Sequence, residues 1–197
     1  MKQGRLSFSD VRILRQSPLF SFLTAAFLCG VLAGSIVGMY IPQAKTGQMH
    51  TLAALLSAHA AGKMPSGSAV LTCIGTVWIW PAAVAAAGAC PGAMFWTALV
   101  MALRGSLLSF AVSAALVSSG FSGVYLSAVS IGMPALFWIP ALLLLGTAAL
   151  DAGMKKRYGY AAALGQHAAA LFCCTLLLML CALWRIAAVP VLLRIAA

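Results

Sequence analysis

The sequence predicts an all-α integral membrane protein, a bundle of about five transmembrane helices, and three features carry that prediction. The 197 residues are 63% hydrophobic and only 7% charged, with a mean hydropathy of +1.05, which leaves too little charge to cover a soluble domain. Several uninterrupted apolar runs each exceed the roughly 20 residues that cross a bilayer as a helix. The only side-chain carboxylates are Asp10 and Asp151, and there is no glutamate. Runs this long and this uniformly apolar do not suit the alternating strands of a barrel.

The chain opens on residues 1–18, "MKQGRLSFSDVRILRQSP", in which Lys2, Arg5, Arg12 and Arg15 alternate with Leu6, Val11 and Leu14. Ser9 suits a helix cap, Asp10 suits its first turn, and Pro18 is expected to end it. This reads as a basic interfacial segment on the cytoplasmic surface, ahead of a five-span domain over residues 19–193. The first run, Leu19 to Ile41, is longer than a signal-peptide core and reads as an uncleaved anchor. Within it Gly30, Gly34 and Gly38 recur every fourth residue, a smooth face for close helix packing.

Residues 42–68 form the longest polar interval and are expected outside the cell. Their His50 and His59 have no companion ligands and read as solvent-exposed. A second run extends from about Ala69 to Gly88, followed by a tight connection at "GACPGAMF". A third, from Ala93 to Ser118, contains Arg104. The stretch "SSGFSG" (118–123) is expected to turn into a fourth run, Val124 to Leu150, with Pro134 and Pro140 as kink sites. After Asp151, Lys155, Lys156 and Arg157, a fifth run starts near Ala168.

Five spans put the termini on opposite sides and place two basic clusters on the same side. Those clusters, Arg12 and Arg15 with their neighbours and Lys155–Arg157, mark it as cytoplasmic by the positive-inside rule. The net charge of +10 is thereby assigned to orientation and membrane lipid, with no nucleic-acid partner.

Catalytic signatures are missing. Zinc proteases need H-E-x-x-H, and intramembrane aspartyl chemistry needs two mid-span aspartates. His167 stands at the start of the fifth run with no adjacent nucleophile. Cys29, Cys73, Cys90, Cys173, Cys174 and Cys181 form no C-x-x-C pair and read as small apolar packing residues. No cofactor and no metal is expected. Ion coupling usually leaves mid-span carboxylates, and no internal repeat stands out between the halves. A non-catalytic scaffold is therefore the expectation, with a small permease or transporter subunit as the alternative.

Arg104 is the exception to an otherwise apolar interior. At 1.5 Å per residue from Ala93 it lies about 17 Å into its span, near mid-bilayer. An arginine there costs about 2.5–3.5 kcal/mol on insertion scales. Carbonyls released near "ACPGAM" or at Pro134 and Pro140 are the expected partners, in a packing role without chemistry.

The order of features resembles the stage II sporulation protein M family. "RQSPLFSFLTAAFLCGVLAGSIVG" (15–38) is similar to that family's opening, a basic segment running into a Phe-rich span with spaced glycines. Residues 103–145, from Arg104 and Gly105 through Gly120 and Gly123 to Pro140, resemble its central block. "LWRIAAVPVLL", with Pro190, resembles its terminal span. The chain departs from the pattern at Met133–Ala135 and at Arg185. The resemblance implies a scaffold of the endospore engulfment machinery in the mother-cell septal membrane. It would anchor the peptidoglycan-degrading sporulation proteins D and P, as a monomer or a homo-oligomer.

Overall fold

The computed structural model describes residues 17–40, 67–154 and 159–184. The expected interfacial segment, the outer loop with His50 and His59, and the basic residues Arg12, Arg15, Lys155, Lys156 and Arg157 lie outside the described residues, as do Arg185 and Pro190. Six α-helices follow in order: α1 Pro18–Tyr40, α2 Gly67–Ala89, α3 Ala93–Ser127, α4 Met133–Met154, α5 Tyr160–Gly165 and α6 Ala168–Leu183. A π-helical segment, Ala128–Gly132, joins α3 to α4. There is no strand among the described residues.

The fold is an all-α membrane bundle. Helical segments Pro18–Tyr40, Ala93–Ser113 and Met133–Met154 are long and apolar enough to cross a bilayer, and Val77–Ala89 and Ala168–Leu183 are shorter apolar helices. Helix is the only open-ended solution in lipid, because each backbone N–H and C=O must find its partner inside the segment.

Local chemistry sets the helix starts. Ser17 Oγ and its carbonyl both accept from the Phe20 N–H, at 3.4 and 3.1 Å, so Ser17 caps α1. Pro18 opens α1, where a missing N–H costs nothing, and the segment it was expected to end lies outside the described residues. Between α2 and α3 the chain turns at Gly92, whose φ of +78° is the left-handed conformation that favours glycine.

Side-chain neighbours give the directions of the helices. Leu19, Cys90, Ala93, Gly153 and Met154 line one cavity, so the start of α1, the α2–α3 turn and the end of α4 share one end of the bundle. Helix α6 runs antiparallel to α4, with His167 against Asp151, Cys174 against Ala141 and Trp184 against Val129. The core between them is built from Leu23, Val84, Met101, Trp138, Leu142 and Leu178.

Helices α1 and α3 run parallel and pack more extensively than any other pair. Gly30, Gly34 and Gly38 are all buried in this contact. A Cβ at Gly30 would collide with the Ala102 carbonyl, one at Gly34 with the Ser106 carbonyl, and one at Gly38 would lie 2.7 Å from Ser113 Cβ. The contact is reciprocal. Gly30 faces the carbonyl three residues before Gly105, and Gly105 faces that of Phe27, three residues before Gly30. Small buried residues recur every fourth position on both helices, Gly30, Gly34 and Gly38 against Gly105, Ser109 and Ser113. Such i-to-j and j-to-i matching is the mark of a twofold relation. Helices α2 and α4, each carrying a tryptophan beside an internal proline, likewise run parallel. The first four helices thus alternate in direction, as in an up-and-down bundle.

The expected turn at 118–123 is corrected by the structure, because this stretch lies inside α3 with a helical backbone. Leu108 and Ile131 line the same cavity, so the chain reverses between them without leaving helical geometry. Serine and glycine break helices where water can take the backbone groups. Where it cannot, serine side chains bond back to the preceding turn, as Ser127 Oγ does to the Val124 carbonyl at 3.0 Å.

Candidate functional site

Arg104 is the only lysine or arginine among the described residues. It lies on α3 between two indoles, one from α2 and one from α4. Its guanidinium carbon is 5.0 Å from the Trp80 ring centroid and 4.3 Å from that of Trp138. Trp138 is 4% exposed, so this contact is desolvated. A desolvated cation–π contact contributes about 2 kcal/mol. Together with the contact to the less buried Trp80, it is comparable with the roughly 2.5–3.5 kcal/mol cost of placing arginine at mid-membrane. The cage therefore explains how the span tolerates its charge.

The backbone around the cage is interrupted on both flanking helices. Pro81 in α2 gives no N–H to the Val77 carbonyl four residues back. Pro134 can donate neither to Val129, its π-helical partner position, nor to Ser130, its α-helical one. The Val129 carbonyl instead accepts from Trp184 Nε1 at 3.4 Å. A cavity of about 30 Å³ adjoins Arg104 and is lined by Val77, Ile131, Pro134, Trp138 and Cys181 among others.

Of the segments expected to supply carbonyls to Arg104, Pro134 lines its cavity, whereas "ACPGAM" lies with the α2–α3 turn at the end of the bundle, and the aromatic cage was not foreseen. Trp80 and Trp138 were legible as an anomaly. Tryptophan is enriched at membrane interfaces, and both of these lie within apolar runs beside a proline.

Asp151 is distant from the Arg104 cage. It lies about 20 Å beyond Trp138 along α4 at the helical rise. Its Oδ2 is 2.9 Å from His167 Nε2, with side-chain exposures of 21% and 15%. His167, expected to stand without a neighbour, therefore ties the start of α6 to the end of α4. Nearby, the Tyr160 hydroxyl donates to the Ala85 carbonyl at 2.7 Å, and burial raises the pKa of that phenol. Cys174 is buried and donates its thiol to the Ala141 carbonyl at 3.1 Å, while Cys181 is buried at the Arg104 cavity. No group of three or more His, Cys, Asp or Glu side chains capable of holding a metal occurs among the described residues.

Arg104 carries no acid–base chemistry. A guanidinium cannot deprotonate in a protein, so the charge beside Trp80 and Trp138 is permanent. Fold and site together define an all-α membrane bundle with an aromatic-caged arginine at its centre. Compared with family models, curated proteins and solved structures, the chain matches none.

Proposed function

We propose that this protein is a non-catalytic, five-pass membrane scaffold whose rigid bundle presents partner-binding surfaces. The observation that carries the reading is the use made of Arg104, whose guanidinium lies within 5.0 Å of the Trp80 ring and 4.3 Å of the Trp138 ring as a packing element. The glycines of α1 support it as well, since they lock α1 onto α3. On this reading the N-terminal basic segment and Lys155–Arg157 face the cytoplasm, and residues 42–68 and the C-terminus lie outside. The resemblance to stage II sporulation protein M supplies the specific role: anchoring the peptidoglycan-degrading sporulation proteins D and P at the mother-cell septal membrane during engulfment. The test is recovery of tagged protein from sporulating cells. Co-purification of cell-wall hydrolases supports the scaffold, and a complex lacking them contradicts it.

One observation favours a second reading, a small permease. Two proline-interrupted helices meet at Arg104, and interrupted helices form substrate sites in many transporters. A cavity of about 30 Å³ takes nothing larger than water or one small ion, which weighs toward the scaffold. Solute-dependent flux in liposomes would reverse that preference.

A further inference from the structure

We infer that the cavity beside Arg104 is a water-binding site in the middle of the bundle, holding one or two ordered waters between the guanidinium and proline-released backbone carbonyls. Three observations converge on it. The cavity measures about 30 Å³, above the roughly 10–15 Å³ needed to seat one water. A buried water also needs two to four polar partners, and the walls supply both kinds. The donors are N–H groups of the Arg104 guanidinium, which lines the cavity beside the Trp80 and Trp138 rings. The acceptors are carbonyls that the prolines deprive of their helical donors. Pro81 releases that of Val77, which lines the cavity, and Pro134, also a lining residue, withholds its N–H from Ser130.

The remaining walls are hydrophobic and hold water in place without competing for it. Ile131 and the buried Trp138 close the apolar sides, and Cys181 of α6 forms another wall. The neighbouring carbonyl at Val129 is taken by Trp184, which leaves the Val77 side as the polar face. Water here carries the guanidinium's hydrogen bonding to the Val77 carbonyl of α2, so a hydrated centre ties α2 to α3. The inference is independent of whether the protein is a scaffold or a permease.

Two cysteines of α6 give an internal comparison. Cys174 and Cys181 are equally buried, at 3% exposure each, but only Cys181 lines the cavity. Radiolytic hydroxyl-radical footprinting of the full-length protein in detergent labels side chains next to bound water. Cys181 is expected to be labelled several-fold faster than Cys174. In Arg104→Leu the Cys181-to-Cys174 ratio should fall toward one as the donors are lost. The wild-type ratio decides the matter if that variant does not fold. Equal labelling of Cys181 and Cys174 in the wild type would overturn the inference. So would suppression of Cys181 labelling by chloride relative to gluconate, which would assign the cavity to an anion.

Discussion

Trp184 Nε1 donates to the Val129 carbonyl at 3.4 Å, across 55 positions of sequence, and so fills the place that Pro134 leaves vacant in the π-helical ladder. The indole of the last described helix thereby stabilises an irregular backbone at the head of α4. Removing the donor without removing the ring isolates this effect. Trp184→Phe should lower the stability of the detergent-solubilised protein by about 1 kcal/mol. Unfolding by SDS in mixed micelles measures it, and an unchanged midpoint would show that the π-helical segment holds itself.

Glycines in this chain differ sharply in what a methyl group would meet. Gly30→Ala sets a Cβ against the Ala102 backbone, which has no flexible end to move aside. It should cost about 1–3 kcal/mol by forcing α1 off α3. Gly75, in α2, has nothing within 4 Å, so Gly75→Ala should be neutral or stabilising by up to about 1 kcal/mol. The pair is best compared by the same SDS titration, with membrane insertion checked by carbonate extraction. Equal effects would mean that the α1–α3 contact is not tight.

Alkaline pH probes the junction of α2 with α5. The Tyr160 phenol has its pKa raised by burial, so the unfolded chain loses this proton first as pH rises. Stability from this group is therefore whole below the ordinary tyrosine value of about 10 and falls as pH climbs through the raised value. Tyr160→Phe should remove that part of the alkaline loss. At neutral pH the same variant should lose about 1 kcal/mol through the missing bond to the Ala85 carbonyl. Identical alkaline limbs for the two proteins would contradict the assignment.

The positions of the spans were legible because a bilayer demands long apolar runs, and composition alone reports them. The glycine ladder of α1 was legible too, since its spacing is a property of one helix. Its partner was not. In lipid the outer face of a helix is as apolar as its packed face, so hydropathy does not single out the α3 surface that α1 meets, and the small residues Gly105, Ser109 and Ser113 at the same spacing are its one trace. The Trp80–Arg104–Trp138 cage joins three helices, and the Asp151–His167 pair spans a connection. Neither leaves a local pattern. The stretch 118–123 misled for the opposite reason, because its Gly and Ser residues carry a turn signal calibrated on chains surrounded by water.

Arg104 as a caged packing element is the central claim, and a double-mutant cycle between Arg104 and Trp138 tests it most directly. Arg104→Leu, Trp138→Leu and the double variant are unfolded by SDS in mixed micelles, with solute flux followed in liposomes and Arg104→Lys as the partial replacement. The account predicts a coupling energy of about 1–2 kcal/mol between the two positions. It also predicts intermediate behaviour for lysine, whose point charge lacks the planar face that stacks on an indole. Zero coupling, with the Arg104→Leu protein fully stable but a measurable flux abolished, would contradict it and make Arg104 a transport residue.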